Sequence, residues 1–203
     1  MTRNLVRVAV VLLLCHPAVA AAQTVEVSPI AGYRFGGGFF ERATNQPVDL
    51  DGAPAVGAVV SIQLHDGLWF EGLLTHQEAR IDVPGANLSP VTRVRITVDQ
   101  WLAGGLQEFG TSHAVRPFTT GLLGLTRYAA EGDSEVRFAI GGGGGVKLRP
   151  SRHVAARLDG RVYMTVADFD GNTVGCGRGG CLVGFYADLV WQAEFTAGVT
   201  IIF

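Results

Sequence analysis

Charged residues recur at every second position in the stretch HVAARLDGRVYMTVA. Arg157, Asp159 and Arg161 share one parity, and Leu158 and Val162 stand on the other. Because the side chains of a β-strand alternate between its two faces, this spacing predicts a strand with one charged face and one apolar face. Guanidinium and carboxylate groups on one face can neutralise each other through charge-assisted hydrogen bonds. The chemistry that these residues predict is therefore ion pairing along one side of a sheet.

Two other groups of residues could carry chemistry. His76 is followed closely by Glu78, Asp82 and Ser89, which supplies a base, two acids and a hydroxyl of the kinds used in acyl transfer. A polar histidine at the end of a strand is the alternative interpretation.

Beyond residue 22 the sequence has two cysteines, Cys176 and Cys181, in the glycine-rich stretch GNTVGCGRGGCLVG. Nearby cysteines in an oxidising compartment usually pair, so we predict a Cys176–Cys181 disulfide. Two sulfurs without an adjacent histidine do not match zinc-site spacing, and no phosphate-binding glycine loop precedes a predicted helix. We expect no metal, no cofactor and no catalytic residue.

In eight stretches of the chain, apolar and polar residues alternate as they do in β-strands. They cover residues 24–35, 53–64, 67–77, 91–104, 113–128, 135–148, 153–167 and 186–203. Short and long connectors mostly alternate along the chain. Transmembrane barrels have this arrangement, with short turns at one end and longer loops at the other. We predict an all-β fold, an eight-stranded antiparallel up-and-down transmembrane β-barrel. A soluble ligand-binding barrel, with its apolar face turned inward, has the same period and is the alternative.

The residues on the apolar parity decide which face is inside. They include Pro29, Pro117 and Gly121, which would fill a soluble core poorly. We therefore place the charged parity in the lumen, where the predicted bases and acids are Arg34, Arg93, Arg95, Arg116, Arg137, Lys147, Arg157 and Arg161 against Glu26, Glu71, Asp99, Asp159 and Glu194. The interior of an eight-stranded barrel is filled by its own side chains, so we expect a largely plugged lumen. The excess of bases leaves a narrow anion-preferring pore as an alternative.

An unpaired buried ion costs several kcal/mol, so each lumen charge needs a partner. Folding consecutive strands as hairpins predicts three sets of partners: Arg161 with Glu194, Asp99 with Arg116, and Glu71 with Arg95 or Asp99. Three glycines of the sixth predicted strand fall on the lumen parity and leave space for guanidinium groups: Gly141, Gly143 and Gly145.

Composition predicts one domain behind a leader. The chain has 203 residues, 48% of them hydrophobic, with 28 glycines. Residues 1–22 carry Arg3 and Arg7, an apolar run and small residues, which is typical of a cleaved signal peptide and leaves 23–203 as the barrel domain. The remaining 14 basic and 18 acidic residues give no excess of positive charge of the kind that indicates nucleic-acid binding.

The ending TAGVTIIF, with its final Phe203, resembles the C-terminal signature of bacterial outer-membrane β-barrel proteins. The stretch VRPFTTGLLGLTRY resembles a strand of the small OmpA-like and OmpX-like barrels. The resemblance implies that Phe203 is an assembly signal for the barrel assembly machinery. It also implies a monomer in the bacterial outer membrane, reached through the periplasm, with its long loops extracellular and with outer-membrane lipid and lipopolysaccharide as partners. Some barrels of this size modify lipid A, and in such an enzyme His76 would be the base.

These observations favour a non-enzymatic integral barrel with a charged, largely plugged lumen and a structural or surface-interaction role. The alternatives are the narrow anion-preferring pore, an outer-leaflet enzyme that modifies lipid A, and the soluble secreted barrel.

Overall fold

The computed structural model describes residues 24–41, 47–83, 92–110, 112, 114–130, 133–166, 174–176, 181–183, 185–186 and 189–203. The signal peptide predicted for residues 1–22 lies outside these ranges. Eight long strands form the fold: β1 (Val25–Gly36), β2 (Ala53–His65), β3 (Leu68–Val83), β4 (Thr92–Glu108), β5 (Val115–Ala130), β6 (Asp133–Leu148), β7 (Val154–Val166) and β8 (Leu189–Ile202).

The eight strands close into a barrel. Each strand pairs antiparallel with its neighbours in the chain, and β1 also pairs with β8. Val25 and Phe203 exchange backbone hydrogen bonds of 2.9 and 3.3 Å at this closure. The predicted all-β, eight-stranded antiparallel barrel is confirmed. No helix among the described residues is long and apolar enough to span a bilayer.

The two ends of the barrel differ. At one end, which we call the turn end, lie residues 24 and 203 and the turns after β2, β4 and β6. In the first of these turns Gly67 has a φ of 75°, a conformation that glycine adopts without steric cost. At the other end, the loop end, short strands cover Gly38–Glu41, Pro47–Asp49, Val174–Cys176, Cys181–Val183 and Phe185–Tyr186 and form two small separate sheets.

Two strands are longer than predicted, β3 at the loop end and β4 at the turn end. β3 continues from the predicted limit at residue 77 to Val83, because Ala79 and Ile81 keep alternating inward after the outward face has become polar. β4 likewise continues to Glu108 at the turn end.

The outer wall of the barrel is apolar and the interior holds charge. On β7, Leu158 and Val162 are 49% and 47% exposed, whereas Arg157 and Arg161 are 0% and 2% exposed. β8 repeats the pattern with Phe195 64% exposed. Water-soluble proteins rarely expose large contiguous apolar surfaces and place most of their arginines at the surface, so this is the inverse of a soluble barrel.

The interior has an apolar side and a charged side. Three buried apolar clusters, whose members lie mostly on β2 to β5, succeed one another from the loop end to the turn end and include Ile81, Leu73 and Leu106. The buried charged residues lie mostly on β6, β7, β8 and β1, with Glu71 of β3 facing them.

Candidate functional site: the charged lumen

At the centre of the lumen, the carboxylate of Glu71 forms ion pairs with arginines on the opposite side of the barrel. Glu71 of β3 accepts hydrogen bonds from Arg157 Nη2 at 2.7 Å and from Arg161 Nη2 at 3.4 Å. Asp159 lies between the two arginines along β7 and accepts from Arg157 Nε at 2.9 Å and from Arg161 Nη2 at 3.1 Å. Because β3 and β7 are four strands apart in the ring of eight, Glu71 and its partners span the full diameter of the barrel.

A second cluster closes the turn end. Lys147 Nζ lies 2.5 Å from Glu26 Oε2 and 2.9 Å from Glu108 Oε1. Arg149 Nη2 bridges the same two carboxylates at 2.8 and 2.9 Å. Lys147 Nζ also stands 4.6 Å from the centroid of the Trp69 ring, a cation–π contact. A cavity of about 470 Å³ lies outside this cluster and is lined by Glu26, Trp69, Glu108 and Arg149 among others.

A third cluster occupies the lumen towards the loop end. Arg34 Nε donates to Glu194 Oε2 at 2.7 Å, and the Arg34 guanidinium also donates to the Thr75 hydroxyl. The Tyr163 hydroxyl donates to the other oxygen of Glu194 at 3.0 Å. The side chains of Arg34 and Glu194 are completely buried. The charged lumen is thus filled at three successive levels.

The buried charges are balanced in sign. The ion pairs of the three clusters join five cations to five carboxylates: Arg34, Lys147, Arg149, Arg157 and Arg161 to Glu26, Glu71, Glu108, Asp159 and Glu194. The basic excess predicted from the sequence is therefore absent from these three clusters.

The glycines of β6 make room for these side chains. Gly143 lies opposite Arg161 in the register of β6 and β7, and Gly145 lies opposite Asp159. A β-carbon on Gly143 would fall 2.2 Å from the carbonyl oxygen of Gly160 and 3.0 Å from Arg161 Cγ. A larger residue here would push against both the neighbouring backbone and the arginine stem.

Two predicted lumen residues on β4 face the other way. The Arg95 side chain is 64% exposed, and Asp99 bonds to His76 and Arg127 on the outer face at 2.7 and 3.3 Å. The inward parity of β4 belongs instead to residues such as Ile96 and Val98. The prediction for Arg95 and Asp99 is wrong because near the loop end the outer face of the sheet is polar, so polarity no longer marks the inside. The side chain of Arg93 lies outside the described residues.

Two further predicted residues lie at the ends of the lumen. Arg116 is on the inward parity at the turn end and donates to the carbonyl oxygen of Gly110 at 2.9 Å. Arg137 is on the inward parity near the loop end, where it pairs with Glu135 at 2.8 Å. Neither belongs to the three clusters.

The predicted partners differ from the observed ones. Glu194 does lie opposite Arg161 in the register. Arg161 nevertheless pairs with Glu71 and Asp159, and Glu194 pairs with Arg34. The other two predicted sets are wrong, since Asp99 is opposite Arg127, not Arg116, and Glu71 is opposite Gly104, not Arg95 or Asp99.

Sequence reasoning missed Glu108 and Arg149. Glu108 continues the inward parity of Leu102 and Leu106, so extending the fourth predicted strand by four residues would have found it. Arg149 follows the last residue of β6, where the strand pattern gives no signal.

The two cysteines stand opposite each other in the backbone register of Val174–Cys176 and Cys181–Val183. Opposed residues of an antiparallel pair have Cα separations of about 4.5–5.5 Å, within the range that a disulfide spans. The Cys176–Cys181 disulfide stays a prediction.

The described residues contain no group of three His, Cys, Asp or Glu side chains placed to hold a metal ion. His76 lies on the outer face, and within the described ranges its side chain bonds only to Asp99. Ser89 lies outside those ranges.

The C-terminal Phe203 has an outward, 74% exposed side chain next to the β1–β8 closure. Its role as an assembly signal stays a prediction.

No protein-family model and no curated protein matches the chain. Solved structures do match it. The outer-membrane protein OprG from Pseudomonas aeruginosa aligns with a TM-score of 0.56 at 14% identity, over 89% of this chain and 95% of that one. Neisserial surface protein A (NspA) aligns with a TM-score of 0.53 at 13% identity, over 88% of this chain and 96% of that one. The chain therefore has the fold of the small eight-stranded outer-membrane β-barrels.

Proposed function

We propose that this protein is a closed, non-enzymatic barrel of the bacterial outer membrane, with a structural or surface-interaction role carried by its loop end. The bridge from Glu71 to Arg157 and Arg161 carries the proposal, because it occupies the diameter of the lumen with fully buried, mutually neutralised charges. We therefore expect these side chains to leave no open path for bulk water and solutes, since an eight-stranded barrel has little interior space beyond its side chains.

The outer wall supports the membrane placement. Apolar side chains cover it on all eight strands, and the backbone groups are paired around a closed sheet without an edge. Closed barrels and helices are the two structures that satisfy their backbone polar groups within hydrocarbon. A soluble barrel would instead have to expose Phe195, Trp191 and Leu123 to water.

The enzyme alternative has one observation in its favour. His76 and Asp99 form a hydrogen-bonded pair on the outer face, as a general base and its orienting acid would. Acyl transfer also needs a nucleophile, and among the described residues no hydroxyl or thiol bonds to His76. We therefore favour a binding or structural role for this face.

Conductance in planar bilayers tests the closed lumen. We expect the wild-type protein, inserted and folded, to give no steady conductance steps. A variant with Glu71→Ala and Arg157→Ala, which removes the bridge across the diameter, serves as the comparison and should pass more current. Steady anion-selective steps from the wild-type protein would contradict the proposal and favour the narrow pore.

A further inference from the structure

Among the described strand residues, the charged side chains of the outer face lie together in one region. In the described parts of the eight strands, the outward-facing Arg, Asp and Glu side chains all lie on β3, β4 and β5 near the loop end: Glu78, Arg80, Arg95, Asp99 and Arg127. We call this group, together with His76, the outer charged patch. Its position on three adjacent strands shows that it is a local feature and not a ring around the barrel.

The patch contains cations that the described residues do not neutralise well. Arg80 and Arg95 are directly opposite each other in the register of β3 and β4. Like charges opposite each other on a sheet repel and destabilise the pair. Arg95 reaches Glu78 only at 3.8 Å, with both side chains more than half exposed, and Arg80 makes no ion pair to a described residue. An anion placed between the two guanidinium groups would relieve the repulsion.

An apolar groove lies directly beside the patch, on the side away from the loop end. It measures about 510 Å³ and is lined by Val60, Leu74, Trp101, Leu123 and Leu125, with Gly72 and Ala103 at its floor. A β-carbon on Gly72 would meet no atom closer than 3.9 Å, so the space above it is open. Leu74, Trp101 and Leu125 are each two residues from His76, Asp99 and Arg127, so groove and patch form one continuous surface.

We propose that this surface binds a phosphorylated lipid of the surrounding leaflet, with an acyl chain in the groove and the phosphate groups on Arg80, Arg95 and Arg127. Charge complementarity selects this occupant, because the groove can hold a hydrocarbon chain and the arginines can donate bidentate hydrogen bonds to phosphate oxygens. Arg80 lies six residues beyond Leu74, about 20 Å along the strand. A lipid with an extended, multiply phosphorylated headgroup, of the lipid A class, matches that span better than a lipid with a single small phosphate.

The binding site rests on the proposed membrane placement, and natural tryptophans allow the two to be tested separately. Trp101 lies in the groove, and Trp191 lies outward on β8, away from it. Trp69 is replaced in both test proteins so that each keeps a single tryptophan. Trp69→Phe with Trp191→Phe keeps Trp101, and Trp69→Phe with Trp101→Phe keeps Trp191. Both are reconstituted in vesicles of brominated phosphatidylcholine, whose bromines quench tryptophans that contact the chains. Bis-phosphorylated lipid A is then added, and dephosphorylated lipid A with the same chains is the control lipid.

We expect phosphorylated lipid A to protect Trp101 from quenching at a much lower mole fraction than the dephosphorylated lipid, and to protect Trp191 no better. Replacing Arg80→Gln and Arg95→Gln should raise the mole fraction for half protection about fivefold per arginine, equivalent to about 1 kcal/mol each. Arg152→Gln, which removes an exposed charge at the turn end, should leave it unchanged. Gly72→Leu, which fills the groove and keeps the arginines, should also weaken the protection.

Equal protection by the two lipids, equal protection of both tryptophans, or protection unaffected by the arginine replacements would overturn the lipid site. If brominated phosphatidylcholine quenches Trp191 in these experiments, the barrel is in the membrane and only the site has failed. If it quenches neither tryptophan, the membrane placement itself has failed.

Discussion

Individual charges in the lumen have several partners each. Glu71 accepts from two arginines, and Arg157 donates to both Glu71 and Asp159. Removing one partner from a buried pair leaves the other charge without compensation, and this costs more than the pair itself contributes. Exposed pairs are screened by water and contribute little. The two kinds of pair occur on opposite faces of the same strand, β3.

This contrast predicts the effect of two isosteric replacements on β3. Glu71→Gln should lower the free energy of unfolding by about 3–5 kcal/mol, because Arg157 and Arg161 lose their shared carboxylate. Glu78→Gln, which removes an exposed carboxylate 3.8 Å from Arg95, should change it by less than about 1 kcal/mol. Urea titration in lipid, followed by the heat-modifiable shift of the folded barrel on a gel, measures both. Equal effects of the two replacements would show that the lumen pairs do not carry stability.

Individual strands differ in how well the sequence predicts them. On β7 and β8 most residues of the inward parity are charged or polar, and the predicted faces agree with the structure. On β4 the inward residues Ile96 and Val98 are apolar. The outward residues between Trp101 and the loop end, such as Asp99 and Arg95, are polar. Alternation alone shows that the two faces of a strand differ. It does not show which face is inward near the loop end, where the outer face of the barrel is polar.

Strand β6 offers a test of the close packing between strands. Gly143→Ala should destabilise the barrel by about 1–3 kcal/mol, because its β-carbon would collide with the carbonyl oxygen of Gly160. Gly142 is next to it on the outward face, and a β-carbon there would have no neighbour closer than 3.9 Å. Gly142→Ala should therefore be neutral or stabilise by up to about 1 kcal/mol. The same urea titration compares them, and an equal tolerance of both changes would mean that the lumen side of β6 is loosely packed.

At the scale of the whole molecule, the barrel could be predicted and its network could not. Strand number, antiparallel order and closure follow from the period of two and the alternating connectors. The pairing of Glu71 with Arg157 joins strands on opposite sides of the ring, so it depends on the tilt and stagger of the strands. Hairpin register predicts contacts between neighbouring strands only, which is why it placed Glu194 opposite Arg161 but not the bridges across the lumen.

The central claim is that hydrocarbon surrounds this barrel and the charges lie within it. The most direct measurement is the oxygen accessibility of nitroxide labels at Val162 and Val199, on the outer face, and at Thr165 and Thr200, on the inner face, with Cys176 and Cys181 replaced by Ser. In lipid vesicles we expect high oxygen accessibility at Val162 and Val199 and low accessibility at Thr165 and Thr200. The reverse pattern, with the labels at Thr165 and Thr200 in contact with hydrocarbon, would contradict the account.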